Sequence, residues 1–423
     1  MADKVTKRYL LPEDYMADPS VHVFDGKVYI YPSHDWESAA PDDDFGSEYD
    51  MKDYHVLSIE GGDPMTSPVK DWGNVLDIKD VPWARRQLWD NDVVKGRDGR
   101  YYMYFPAKDK TDIFRIGVAV SDSPTGPFKA LPDPIRGSYS IDVAVLHDDD
   151  DEFYMFFGGI WGGQLQRYED NLAKDGGTSY PADGQPAIPA RVVRLTRDML
   201  QFAEDPKPVV LLDQDGTPIK VEDNARRFFE AAWVHKRGGK YYFSYSTGDT
   251  HCLCYAIGDS PYGPFTYQGK ILTPVIGWTT HHSIVEFGGK WWLFHHDSAP
   301  PQGHQPPPQP ESMRTPIQRR RNNPDDRGVG LKIMFGWLCP RRCDSTGGKV
   351  FTGFILNDDP EGEEAGIFKA RGAPLRKMEQ TRRQQLTRKY PGKLSRALSH
   401  NAFIVTNLHS TGEAAIELCS FTL

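Results

Sequence analysis

Short runs in which apolar and polar residues alternate recur five times in the first 300 residues. Each is closed by a Gly or Asp-rich turn and reopens on paired aromatic or apolar residues. They are Val21-His-Val-Phe-Asp-Gly-Lys-Val-Tyr29-Ile-Tyr31, Val93 to Tyr104 around Asp98-Gly99, and Ala144 to Phe157 around Asp148 to Asp151. Ala232 to Tyr245 around Gly238-Gly239 and Ile284 to Phe294 around Gly288-Gly289 complete the set. A period-2 run on either side of a tight turn is the hairpin signal, and self-similarity every several tens of residues is that of a β-propeller. The pattern predicts an all-β fold, a five-bladed β-propeller.

A second repeat keeps the same register. Asp122-Ser-Pro-Thr-Gly-Pro-Phe128 and Asp259-Ser-Pro-Tyr-Gly-Pro-Phe265 differ at one position, and each follows an alternating run, Ile116 to Val120 and Cys254 to Ile257. Pro and Gly there end an outer strand. The insertions Asp42 to Asp53 and Leu172 to Ala190 then become loops over one end of a blade, where binding surfaces usually lie.

Composition narrows the function classes. Aromatic residues make up 12% of the chain, and 39 Gly with 33 Pro fit a turn-rich β protein and exclude a coiled coil. The net charge of −9 hides a split: residues 301–423 carry 19 Lys+Arg and 12 Asp+Glu, leaving 31 and 47 in front, or +7 behind and −16 ahead. An acidic front disfavours nucleic acid as a partner, because phosphate repulsion precedes any reading of bases. No apolar run is long enough to cross a membrane, and Met1 to Leu10 lack the apolar stretch of a secretory signal, so a cytoplasmic location is expected. The five cysteines do not make a disulfide framework. Cys252 and Cys254 fall on one strand face and Cys339 with Cys343 lacks a second metal-binding pair, so all read as structural thiols.

Inner strands of a propeller converge on a central channel, so acidic residues at the entrances of different inner strands meet there. Asp18 in Met16-Ala-Asp-Pro-Ser20, Asp142 in Ser140-Ile-Asp-Val-Ala144 and Glu230 in Phe228-Phe-Glu-Ala-Ala-Trp233 occupy such positions ahead of the first, third and fourth hairpins. An Asx turn, a loop cap and a solvent-facing Glu are the bland readings of each one singly. Their shared position favours chemistry.

These residues, with the Ser-Pro-Thr-Gly-Pro-Phe turn and Thr280-His-His-Ser-Ile-Val-Glu286, resemble glycoside hydrolase family 43 over roughly residues 9 to 300. The resemblance implies Asp18 as general base, Asp142 as the residue that tunes and orients the acid, and Glu230 as general acid, in inverting hydrolysis of a glycosidic bond. It implies that His281 lies at the bottom of the channel and binds one structural calcium or a water cluster, with no cofactor required for the chemistry. Sugar binding needs aromatic faces, for which Trp161, Trp36 and Trp89 are the candidates, with Trp72 a further one. Gly158-Gly-Ile-Trp-Gly-Gly-Gln164 resembles the exo-acting β-xylosidase branch, with four glycines that let the Trp161 ring stand out of its loop. The expected substrates are xylo-oligosaccharides or arabinoxylan fragments, cleaved as a β-xylosidase or α-L-arabinofuranosidase; a non-catalytic carbohydrate- or protein-binding propeller is the alternative. The oligomeric state is left open.

After Asp297-Ser-Ala-Pro300 the character changes. Residues 301–330 hold seven Pro, five Arg and no aromatic residue, whereas the family expects a Leu-Arg-Ser type strand there. Codons exist for 304–328 that, read one nucleotide across, spell such a strand. Hence the domains expected are 1–300, the catalytic propeller with its fifth blade incomplete, and 301–423, a Pro/Arg-rich, poorly ordered tail of frame-shifted sequence. A genuine basic linker with a small C-terminal module is the rival.

Overall fold

The computed structural model describes residues 7–297, apart from residues 12, 13, 37, 39, 41–45, 175–179, 249 and 276–279, and beyond them only Phe351–Phe354, Ile367–Ala370 and Ala402–Leu408. Among the described residues every helix is a single 3-10 turn, and no helix is long and apolar enough to cross a membrane. The strands form sheets, antiparallel but for one short edge pairing, in a propeller-like arrangement.

All five expected hairpins form, each as the two inner strands of a sheet. The first sheet runs Met16–Phe24, Lys27–His34, Asp53–Ile59, Val69–Asp77. The second runs Asp92–Lys95, Tyr101–Asp109, Phe114–Ser121, Lys129–Ala130, with Ala84–Arg86 also on Tyr101–Asp109. The third runs Ala144–His147, Phe153–Phe157, Arg191–Arg194, Lys207–Pro208. The fourth runs Phe228–Arg237, Lys240–Thr247, Leu253–Gly258, Phe265–Leu272, with Leu211–Leu212 parallel at its outer edge.

The fifth sheet differs from expectation. Its hairpin, His282–Phe287 with Lys290–Asp297, is not left with a bare edge: Ala402–Leu408 pairs along all of Trp291 to Asp297, and Lys7–Tyr9 pairs with Ala402–Leu408 in turn. The stretch Ala402-Phe-Ile-Val-Thr-Asn-Leu408 is rich in β-branched and apolar residues, and an unpaired row of N–H and C=O groups beside it is satisfied by such a strand. The chain accordingly divides into one compact unit of Met1–His304 with Ala397–Leu423, and another of Gln305–Arg396, in which Phe351–Phe354 pairs antiparallel with Ile367–Ala370. The Pro-rich stretch 301–330 lies outside the described residues.

The core lies in the seams between sheets. Tyr31, Tyr54 and Val75 of the first pack on Val93, Met103 and Phe105 of the second. Tyr104 and Val118 of the second meet Phe153, Phe156 and Phe157 of the third, which meet Phe228, Phe243 and Phe265 of the fourth. Trp233 and Leu253 meet Ile284 and Leu293 of the fifth, and Val285, Trp292 and Phe294 return to Val21, Val28 and Ile30 of the first. Each seam buries the apolar faces of neighbouring sheets against one another.

The two Ser-Pro-x-Gly-Pro-Phe turns tie neighbouring segments together. Each has a left-handed glycine, Gly126 at φ 70° and Gly263 at φ 72°, ahead of a cis Gly-Pro bond. Each then hooks its Phe amide to the preceding segment, Phe128 N–H to Val75 O and Phe265 N–H to Val210 O, both at 2.9 Å. A side chain at Gly126 would come within 2.9 Å of Val75 Cβ. The motif is a structural clasp between neighbours. Cys252 and Cys254 are buried free thiols, as expected, and burial pushes Cys254 up to about 12.

Candidate active site

At the inner-strand entrances the regular ladder gives way. Register slips between Ala17 and Ser20, and on both sides of Glu230. Asp18, Asp142 and Ala231 stand at φ 52°, 60° and 61°, a conformation that costs a non-glycine residue about 1–3 kcal/mol and persists only where surrounding contacts enforce it. The slips take the acidic side chains out of the in-and-out alternation of their strands.

Hydrogen bonds between neighbouring sheets supply the enforcement. Asp18 N–H donates to His296 Nδ1 of the fifth sheet at 2.9 Å. Buried Asp92 of the second sheet accepts from Ser20 and lies 2.5 Å from His22 Nε2 of the first, while its Oδ2 takes the Val145 N–H at 2.5 Å. Asp90 Oδ2 takes the Val143 N–H at 2.9 Å. Asp142 Oδ2 takes the N–H of Ala231 at 2.5 Å, so it fixes the peptide that follows Glu230. Trp233 Nε1–H donates to Ile284 O at 3.1 Å.

The carboxyl groups are in unequal states. Burial pushes Asp18 up, but the hydrogen bond from His281 and the Ser33 hydroxyl, which donates to Oδ2 at 2.8 Å, outweigh it and hold the carboxyl below its ordinary range. His281 Nδ1 lies 3.6 Å from Asp18 Oδ1. Burial lowers this imidazole, yet Asp18, Asp142 and Glu230 together raise it, which brings all three sequence-predicted acids to one histidine. Asp142, only 6% exposed, is driven well above the usual carboxylate range by burial and then by the negative charge of Asp90.

Asp90 is the residue that sequence reasoning missed. It is 1% exposed, and burial followed by the charges of Asp18 and Glu230 raises it to about 8, against the lowering bonds from Asp142 and the Val143 amide. The signal was available. Asp90 lies in Leu88-Trp-Asp-Asn-Asp-Val-Val94, ahead of the second hairpin, in the position that singled out the other three.

The aromatic candidates separate. Trp161, at φ 62°, stacks on Tyr180 with centroids 5.1 Å apart, and its N–H donates to Gln166 Oε1 at 2.8 Å. Two of the glycines around it, Gly159 and Gly163, also have a packing role. A Cβ on Gly159 would lie 2.6 Å from Ile141 Cδ1 and 3.4 Å from Glu230 Cβ, and one on Gly163 2.5 Å from Ile141 Cγ1. They let the loop press against the segment carrying Asp142, and Ser140 Oγ ties it there through Gly163 O at 2.7 Å. Trp89, adjacent to Asp90, is half-buried against Phe114 and anchored through Nε1–H to Tyr49 O at 2.8 Å. Trp36 is 47% exposed, its Nε1–H held by Asp53 Oδ1 at 2.8 Å. Trp72 lies on the outermost strand of the first sheet under the Lys70 ammonium, away from the strand entrances.

The surroundings of His281 suit a hydrated cation. Directly after His281 in the chain, His282 Nδ1 and Ser283 Oγ are buried with no hydrogen-bond partner, and water would satisfy them. Nearby carboxyl oxygens are the hard donors that calcium prefers.

The family model for glycosyl hydrolases family 43 matches residues 68–322. A xylosidase/arabinosidase of Bacteroides ovatus is 64% identical over 288 residues, 68% of this chain and 87% of its own. This chain belongs to glycosyl hydrolase family 43. A β-xylosidase of Xylanibacter ruminicola is 59% identical over 284 residues, 67% of this chain and 88% of its own. Among solved family 43 structures, CoXyl43, a β-xylosidase/α-arabinofuranosidase from a compost microbial metagenome, in complex with xylotriose in a calcium-free form, superposes with a TM-score of 0.68 at 57% identity, covering 72% of this chain and 92% of that one.

Proposed function

We infer that the protein is an inverting exo-glycosidase that removes terminal β-1,4-xylosyl residues, and α-L-arabinofuranosyl residues, from xylan-derived oligosaccharides. The observation that carries the reading is that Asp18, held below its ordinary range, and Asp142, driven above it, both act on His281. Carboxyl groups whose environments push them apart mark acid and base roles. Asp18, ionised and oriented by Ser33 and His281, takes a proton from the water that attacks the anomeric carbon. Glu230, protonated, donates to the leaving oxygen, and Asp142 positions it through the Ala231 amide. Substrates named for the relatives support xylo-oligosaccharides and arabinoxylan fragments as partners.

In this reading the five sheets are five blades about the channel. Trp161, Trp36 and Trp89 offer the sugar-facing rings, and a calcium ion, when bound, would be held by His281 and add positive charge near the carboxylates. Residues 301–423 remain, in our reading, largely frame-shifted sequence, of which Ala402–Leu408 fills the place of a lost outer strand. Assays with aryl xyloside and aryl arabinofuranoside test the activity. Proton NMR of the first product from a β-linked xyloside tests the stereochemistry: the α anomer is expected first, and β first would remove the base-activated-water assignment.

A further inference from the structure

Outside the candidate active site, the first sheet carries a second cluster built from Lys27–His34 and Asp53–Ile59. One ligand atom each from His34, Asp53 and His55 lie within 4.8 Å of one another. His34 Nδ1 is 2.9 Å from Asp53 Oδ1, and His55 Nε2 is 3.7 Å from Asp53 Oδ2. Their rings stand 4.5 Å apart.

The outward-facing nitrogens are what give the cluster direction. His34 Nε2 is 3.5 Å from Asp14 Oδ1, and His55 Nδ1 is 3.1 Å from Asp71 Oδ2. Thus each imidazole faces the shared Asp53 with one nitrogen and a separate carboxylate with the other. That is the arrangement in which metal-ligating histidines are held, the second carboxylate fixing tautomer and ring orientation. Asp53 is itself braced by Trp36 Nε1 at 2.8 Å and Asn74 Nδ2 at 3.0 Å. The three central side chains are nearly buried, at 12%, 6% and 14% exposure.

We propose that His34, Asp53 and His55 form a binding site for a divalent transition-metal ion of the Zn²⁺ type, distinct from the His281 channel site. Two imidazoles and one carboxylate are the donor set that zinc accepts, leaving one position for water. Such a donor set disfavours calcium, which takes six to eight oxygens. Lys52 also lies beside the cluster, its ammonium 6.0 Å from the Trp36 ring and paired with Asp50. The ion would clamp two strands of the first sheet beside Ser33, whose hydroxyl holds Asp18, and would fix the base of the Trp36 side chain.

The test is calorimetric titration of Zn²⁺ into the full chain at pH 7.5 with excess Ca²⁺, together with zinc-edge anomalous diffraction from wild-type crystals soaked in Zn²⁺. We expect one site per chain, with protons released on binding in buffers of different ionisation enthalpy. His55→Gln should weaken it at least a hundredfold, Asp71→Asn by about ten- to a hundredfold, and His281→Gln should leave it unchanged. The anomalous peak should fall between the His34 and His55 rings. Absence of Zn²⁺ binding, full affinity in the His55 variant, or a peak only at His281 would overturn the proposal. The diffraction arm decides even if a variant does not fold.

Discussion

Gly159→Ala adds one methyl group at the closest approach between the Trp161 loop and the acid. Gly159 is not in the left-handed region, so the cost is steric and not conformational. The new Cβ would stand 2.6 Å from both Ile141 Cγ1 and Cδ1, where ordinary contact begins at 3.4 Å, so loop or side chain must yield by about 0.8 Å. Overpacking of this kind costs about 1–3 kcal/mol. Ile141 immediately precedes Asp142, and the same Cβ would touch Glu230 Cβ at 3.4 Å, so the displacement falls on the proposed acid and its positioning residue. A misplacement near 1 Å costs about a hundredfold in rate. We therefore expect a lowered Tm and a kcat/KM on xylobiose reduced about a hundredfold, with KM little changed. Ile141→Ala removes both clashing atoms, so the double variant should recover much of the lost activity and show a coupling of at least about 1 kcal/mol in a double-mutant cycle. Wild-type kinetics in Gly159→Ala, or additive losses in the double variant, would refute the packing argument.

Three other outcomes are expected. Glu230→Gln should nearly abolish hydrolysis of xylo-oligosaccharides while sparing aryl glycosides whose leaving group needs little protonation, whereas Asp18→Asn should abolish both; equal loss on all substrates in the Glu230 variant would remove it from the acid role. Asp90 holds in the folded state, up to about pH 8, a proton that the unfolded chain releases near pH 4. Wild-type stability should therefore fall as pH rises through that window by about 1.4 kcal/mol per unit for this one proton, and Asp90→Asn should flatten the slope in urea unfolding with chelator present; parallel curves would disprove it. Val405→Pro removes an amide from the strand paired with Lys290–Asp297, so Tm should drop, and an unchanged Tm would show that this pairing contributes nothing.

The five hairpins were legible because a strand's period of two and a Gly turn are local properties, written within a dozen residues. Asp18, Asp142 and Glu230 could be singled out for a related reason: each is a charge amid apolar residues at a strand entrance. Asp90 obeys the same rule, but it sits among Trp89, Asn91 and Asp92, where polarity blurs the local contrast. Its raised proton affinity depends on Asp18, Asp142 and Glu230 lying close in space, which no local pattern encodes. The packing role of Gly159 and Gly163 was likewise invisible, since they are small to admit Ile141 from the segment that leads into Ala144–His147. Closure of the fifth sheet was decided furthest from local sequence. An exposed edge accepts whichever strand can satisfy its amides, and here Ala402–Leu408, more than 100 residues along the chain, does so. Sequence determined which segments become strands and which residues are ionisable; tertiary structure decided which carboxyl groups keep a proton, because that depends on burial and on distances set by the packing of neighbouring sheets.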